Sequence, residues 1–319
     1  MTTTSTAPPP AARGGRAGRP LRRPARRSGA AVTRPGFGWA VPATLFFALF
    51  AVLPLVLVAV LSFTDWDGLG APRFAGLANW RALLHDPTMI RSLWLSVLIT
   101  VLGVAVQTPL SILLGVWAAG RQRNRAVLSA VFFVPLLLSA TAVSVLWRAV
   151  LDPNFGVPAQ ARWLFGDGNL LGMRSGAIGV LVFVGAWQYT PFHTLIYQGA
   201  ARAIPEVLYQ AAQIDGAGTV RQFFHITLPQ LRNTMITSMI LMVVGGLTTF
   251  DTVLILTQGG PGTDTTISAY YMYERAFKSF DFGGGSAIAL VLVLVATVIS
   301  LVVVRVSGYD RMRGSTEGL

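Results

Sequence analysis

Long runs of apolar residues dominate this chain, and about 20 such residues in a helix are what the hydrocarbon core of a bilayer demands. Six segments reach that length: residues 38–61, 93–119, 126–150, 176–200, 234–257 and 285–306. Hydrophobic residues make up 53% of the chain and charged residues 12%. A soluble domain carries roughly 25% charged residues. One water-soluble core of 319 residues cannot hide this much apolar surface. The sequence therefore predicts an all-α, polytopic protein of six transmembrane helices in a lipid bilayer, built as one bundle. The fourth and fifth segments carry polar residues and glycines, yet keep the length of a span. The first is read as a retained anchor, because its charged leader is too long for a signal peptide and no small-residue cleavage site clearly follows.

Arginines set the orientation. Arg13, Arg16, Arg19, Arg22, Arg23, Arg26, Arg27 and Arg34 precede the first acid, Asp65, in a stretch rich in Pro, Ala, Gly and Thr. That composition predicts a disordered tail over 1–37. Placing it inside puts 1–37, 120–125, the connection 201–233 and the C-terminal tail 308–319 in the cytoplasm. The inner regions, with Ser307 and Arg305 at the end of the last span, hold 17 of the 25 basic residues. Both termini are then cytoplasmic in a cell membrane. Arginines beside a span set topology and meet anionic lipid heads; nucleic acid is not the expected partner. The transmembrane domain is expected over 38–307.

Several chemistries are excluded. Cysteine is absent, and His85, His193 and His225 are far apart, so no disulfide or metal site is expected. Lys278 is the only lysine, and no Gly-x-x-x-x-Gly leads into it, which rules out a Walker A phosphate loop. No catalytic residue and no cofactor are predicted. If ATP drives the protein, another subunit binds it. A stand-alone secondary transporter predicts ion ligands within spans and an internal repeat, and neither is evident. A membrane-embedded enzyme predicts clustered His, Asp or Glu within spans, which are missing.

The connection between the fourth and fifth spans is more structured than a passive link requires. Pro205 suits the first turn of a helix. Val207, Leu208, Ala211, Ala212 and Ile214 give that helix one short apolar face, and Gly216 can stop it. Val220, Phe223, Phe224 and Ile226 form a second apolar set, with Pro229 expected to end it. The pattern predicts a compact cytoplasmic knob of two short helices.

This loop resembles the EAA loop of ABC-importer permeases, roughly E-A-A-x-x-D-G-A followed by I-x-L-P. Ala211, Ala212, Asp215, Gly216, Ala217, Ile226, Leu228 and Pro229 match at the right spacing, and Gln210 stands where the family has glutamate. The resemblance implies an ATPase-coupling role for those residues and Phe223. Gln210 keeps hydrogen-bonding ability but not the charge. Leu61-Ser62-Phe63-Thr64, Phe74-Ala75-Gly76-Leu77-Ala78-Asn79-Trp80, Phe250-Asp251 and Thr257-Gln258-Gly259-Gly260-Pro261 are similar to segments of carbohydrate-uptake permeases of the maltose and glycerol-3-phosphate type. That likeness implies a second, unlike permease subunit, two ATP-binding subunits, an extracytoplasmic solute-binding protein and a sugar substrate. A permease for a non-sugar solute is the alternative.

Polar side chains within spans are costly unless they face protein or water. The fourth span carries Trp187, Gln188, Tyr189 and Phe192, and Gln188 lies about 18 Å along the helix from Gly176, near the midplane. Gly245-Gly246 weakens the fifth span, with Phe250 and Asp251 just beyond. Aromatics with amides and carboxylates suit a sugar, which has apolar ring faces and many hydroxyls. These six residues, Trp187, Gln188, Tyr189, Phe192, Phe250 and Asp251, are the candidate substrate pathway. His193 is read as a packing residue.

Overall fold

The computed structural model describes residues 37–120, 125–161, 163 and 169–307. The expected N-terminal tail up to residue 36, most of the 120–125 connection and the C-terminal tail lie outside the described residues. The chain divides into residues 1–50 and 51–319, and all packing below concerns the second unit.

Helix α1 (Val41–Leu61) is apolar all round and buries none of its residues, as hydrocarbon contact requires. A two-residue hairpin follows, β1 (Thr64–Asp65) antiparallel to β2 (Arg73–Phe74), a small addition to the expected all-α fold. The short α2 (Ala78–Leu84) is pinned to this hairpin by Asn79, whose Nδ2 donates to the Ser62 and Thr64 carbonyls at 3.0 and 2.8 Å. Those bonds give a structural reason for Asn79 in its motif.

Helix α3 (Pro87–Ala119) is 33 residues long, with Asp86 capping its first turn by accepting from the Thr88 N–H. The expected third span is two helices, α4 (Arg125–Leu137) and α5 (Ala140–Val150), bent by 103° between Ala130–Leu137 and Ala140–Val150. Pro135 supplies no N–H near the end of α4, and Ser139 starts a new helix by accepting from the Ala142 N–H at 3.1 Å. After the single-turn α6 (Val157–Gln160) comes α7 (Arg174–Arg202), 29 residues long. It has the length to cross a bilayer but not the apolar composition of α1 and α3. Its polar residues Gln188, Thr190, His193, Thr194 and Gln198 are buried against other helices, so lipid does not meet them.

The inner connection folds into α8 (Glu206–Ile214), α9 (Thr219–Gln222), a π-helical turn Phe223–Thr227 and α10 (Leu228–Gln230). Pro205 is the N-cap residue of α8, one position before its first turn. Pro229 does not end the second piece; it sits in the first turn of α10, where its missing N–H costs nothing. The expected fifth span breaks into α11 (Arg232–Leu247) and α12 (Asp251–Leu256) at Thr248–Phe250, just past the glycine pair. Helix α13 (Ser268–Tyr273) continues as a π-helical turn, Glu274–Lys278, before α14 (Phe282–Ser307). Among the described residues, α1, α3 and α14 (to Val306) alone are long and apolar enough to cross a membrane, with the bent α4–α5 pair as a fourth span.

The most extensive helix contact among the described residues is between α3 and α7. Gly115 permits it: a Cβ there would come within 2.7 Å of the Tyr197 Cβ and 3.0 Å of the Thr194 carbonyl. Gln198 Nε2 donates to the Ala118 carbonyl at 2.8 Å, locking the inner ends together. A Gly115→Val substitution forces the helices apart and is expected to cost about 1–3 kcal/mol. Thermal unfolding in detergent should show a clearly lowered Tm, whereas Gly179→Ala, which adds its methyl to open space, should leave it nearly unchanged.

Candidate functional site

Helices α3 and α7, with the broken pairs α4–α5 and α11–α12, line a cavity of about 500 Å³. Ser96, Thr100, Gly103 and Gln107 of α3 form one wall. Gly185, Tyr189, Phe192 and His193 of α7 form another. Leu136 and Ala140 flank the α4–α5 break, while Gly246, Thr248, Thr249, Phe250 and Asp251 flank the α11–α12 break. The volume falls within the roughly 300–1,000 Å³ usual for small-molecule sites. Asp251 is the one acidic lining residue, and neither Lys nor Arg lines the cavity among the described residues. Hydroxyls and aromatic rings supply most of the chemistry. Helix breaks at this depth are tolerated because the freed backbone lines a cavity and not lipid.

Of the six sequence candidates, Tyr189, Phe192, Phe250 and Asp251 line this cavity. Tyr189 and Phe192 are both 41% exposed, so their rings are open to an occupant. Trp187 and Gln188 are not among its lining residues. Gln188 is buried at 3% exposure, and its Nε2 donates to the Leu138 carbonyl at 3.2 Å, satisfying a backbone group freed by the α4–α5 break. Trp187 packs edge-on to Trp147 at 5.5 Å. His193, read from sequence as a packing residue, is 4% exposed and its Nδ1 meets Ser238 Oγ of α11 at 2.8 Å, as that reading requires, and it also contributes to the cavity lining. Ser96, Thr100, Gly103 and Gln107 were legible as one face at helical spacing, a small or polar stripe on an otherwise apolar span.

One end of the cavity is held by polar contacts between α3 and the segment 263–271. Ser96 Oγ accepts from the Ser268 N–H at 2.9 Å, and the Ser92 and Ser268 hydroxyls are 3.3 Å apart. Arg91 donates to Thr263 at 3.2 Å and pairs with Asp264. The Tyr271 hydroxyl donates to Asp86. Ile267, between these anchors, lines the cavity.

At the C-terminal ends of α3 and α7, the knob of the 201–233 connection is built as a separate surface. Gly216, at φ +73°, takes the left-handed turn that ends α8, and the Ala217 N–H returns to the Ala212 carbonyl at 2.8 Å. Tyr209 OH and Thr227 Oγ1, 2.9 Å apart, tie the two halves together. Phe223 and Leu228 plug into Ile112, Tyr197 and Leu231 at the base of α3, α7 and α11. Gln210, Ala211, Asp215, Gly216 and Pro229 are exposed, while Ala212, Ala217 and Ile226 are half-buried. Ile214 and Val220, at 88% and 72% exposure, present apolar surface with nothing among the described residues to cover it.

The cavity between broken helices and the inner knob on its glycine turn together describe a transport subunit. Residues 111–309 match the family of binding-protein-dependent transport system inner membrane components. The chain belongs to that family and is the permease subunit of a binding-protein-dependent ABC importer, a multi-pass protein of the inner membrane. It is similar to the multiple sugar-binding transport system permease protein MsmF of Streptococcus mutans, 29% identical over 85% of this chain and 95% of that one. It is also similar to the osmoprotective compounds uptake permease protein GgtC of Synechocystis, 30% identical over 84% of this chain and 96% of that one. Among solved structures, a chain of a bacterial alginate ABC transporter, in complex with an alginate pentasaccharide-bound periplasmic protein, shares the fold. Its TM-score is 0.74 at 20% identity, covering 85% of this chain and 93% of that one.

The outer anchor carries a pH signature. Burial, then the hydrogen bond to Asp86 and its charge, push the Tyr271 phenol up to about 12. Burial acts to raise the Asp86 carboxyl, but Tyr271, the Thr88 and Met89 backbone and the Arg275 charge outweigh it and leave it below its usual value. The neutral phenol therefore contributes stability below pH about 10, the ordinary tyrosine value, and that contribution is lost as pH rises toward 12. The ionised carboxylate contributes above the usual carboxylate range, and this is lost as pH falls through its lowered pKa. Tyr271→Phe should lower stability by about 1–2 kcal/mol at neutral pH. A pH series of melting curves should also show a smaller alkaline loss in the variant than in the wild type.

Proposed function

We propose that this permease carries sugar, contributing half of the translocation pathway. It crosses the membrane six times with both termini in the cytoplasm, α7 and the α11–α12 pair completing the set of spans. A second, unlike permease provides the other half, two ATP-binding subunits drive the pair, and an extracytoplasmic solute-binding protein delivers the cargo. Support comes from the carbohydrate-uptake motifs and from the likeness to MsmF, a multiple sugar-binding transport system permease protein. The observation that carries the reading is the cavity itself: rings for apolar sugar faces, with hydroxyls, Gln107 and Asp251 for sugar hydroxyls.

Tyr189, Phe192, Phe250 and Asp251 contact the cargo, and Trp187 and Gln188 shape the wall behind them. Gln210, Ala211, Ala212, Asp215, Gly216, Ala217, Phe223, Ile226, Leu228 and Pro229 form the ATPase-coupling knob, with the exposed apolar side chains around them seated on the ATP-binding subunit. Tyr189 lies 13 residues before Arg202, about 20 Å along one helix. A push on the knob reaches the cavity through α7. ATP drives the cycle because it binds one state of the ATPase pair better than the other.

Two measurements test this reading. Pro cannot adopt the φ of +73° found at Gly216, so Gly216→Pro should reduce ATP-driven uptake about tenfold or more at normal membrane levels. Normal uptake would refute coupling through this loop. In reconstituted importer, Tyr189→Ala should weaken uptake of labelled oligosaccharide while nucleotide hydrolysis without cargo persists. GgtC favours a second cargo class, an osmoprotective solute. Uptake of such a solute that oligosaccharides do not compete with would replace the sugar reading by that one.

A further inference from the structure

An exposed aromatic turn stands at the outer approach to the cavity. Phe277 and Phe280 are 57% and 63% exposed, so neither ring is there to fill a core. Phe280 also has φ +55°, two positions after the π-helical turn, where glycine or asparagine normally takes this conformation. For a bulky side chain that backbone is strained, and little burial of the ring offsets the cost. Strain held to present a ring outward points to something that the ring meets.

The rings also lead somewhere. Phe277 stacks on Tyr273 at 5.6 Å, and Tyr273 lies 5.2 Å from Phe250 in the cavity wall. In the other direction, Phe277 meets Phe282 at 5.6 Å, and Phe282 meets Trp66 of the outer hairpin at 5.4 Å. The same turn carries two ion pairs, Lys278 with Glu274 at 3.1 Å and Arg275 with Asp281 at 2.8 Å. Four charged groups in the same turn keep this face out of the hydrocarbon core, where unsolvated charge is costly.

We propose that Phe277 and Phe280 form a stacking platform for sugar rings, which passes the cargo by way of Tyr273 to Phe250. The inference rests on the sugar reading and extends it to a contact outside the cavity. The C–H face of a pyranose or furanose lies on an aromatic ring, while its hydroxyls reach the Lys278 ammonium and Glu274 carboxylate beside it. Stacking of this kind is tolerant of sugar identity and weak enough to release, which suits a relay. A docking site for the binding protein is the other occupant such a surface could take.

The test uses the whole importer in proteoliposomes, with radiolabelled maltotriose and arabinotriose as probes. Phe280→Gly removes one ring while relieving the backbone strain, and Phe277→Leu removes the other while keeping apolar bulk. Each should lower uptake about two- to tenfold, the scale of one lost ring contact. Phe277→Tyr should stay near wild type. The melting temperature of Phe280→Gly should be equal or higher, and subunit assembly and docking of the sugar-free binding protein should be unchanged in all three. Wild-type uptake that Phe280→Gly and Phe277→Leu both match overturns the platform and leaves the sugar reading standing. Loss of assembly or docking in step with uptake overturns it in favour of a protein-contact surface. A wild-type importer that takes up no sugar of any kind overturns both readings.

Discussion

The crossing of α3 and α7 at Gly115 is the contact on which the rest of the structure depends. Lipid offers polar groups no hydrogen bonds, so a helix as polar as α7 must find its partners in protein. It finds them on α3 and α11: the Thr190 carbonyl accepts from Ser111, Gln198 donates to the Ala118 carbonyl, and His193 meets Ser238. Only a residue without a side chain at position 115 lets the two backbones come this close. The outcome is a stiff pair of helices that lines the cavity in the middle and runs into the knob at the inner end.

That arrangement separates the parts of a transport cycle. On the proposed reading, cargo is met where helices are broken, at Ser139 and at Thr248–Phe250, because those breaks leave room and free backbone groups. On the same reading, force is received where the chain is folded on itself, at the glycine turn of Gly216. Between them lies unbroken helix. As proposed, a binding protein and an ATPase therefore act toward opposite ends of α7, which is continuous from Arg174 to Arg202, and no covalent chemistry is asked of this chain.

Much of this was legible in the sequence, for reasons that can be named. Apolar length identified α1, α3 and α14, since a span facing lipid has to be apolar along its whole course. The knob was readable because Gly216 is needed for a left-handed turn, whereas the prolines were read less well: Pro205 is the N-cap of α8, and Pro229 opens α10 where it was expected to end the piece before it. The 103° bend between α4 and α5 was not read, although Pro135 and Ser139 mark it; a cap inside an apolar run looks like a weak point until geometry shows a corner. Gln188 was assigned to cargo because a buried amide in a span suggests a ligand, whereas the α4–α5 corner gave it a carbonyl to satisfy. Without that corner in view, the bond to Leu138 could not be foreseen. His193 was read as a packing residue, and its burial against Ser238 of α11 agrees with that; that it also reaches the cavity lining depends on how α7 is rotated against α11, which periodicity alone does not fix.

Side-dependent access to the cavity tests the central claim most directly, and the absence of native cysteine in this chain makes the measurement clean. A Thr249→Cys importer, with the other subunits also free of cysteine, is exposed to a membrane-impermeant thiol reagent from each side in turn. If motion received at the knob is carried by α7 to the cavity, trapping nucleotide on the ATPase subunits will switch the side from which Cys labelling proceeds. Labelling from the same side at the same rate, with and without trapped nucleotide, would contradict the account.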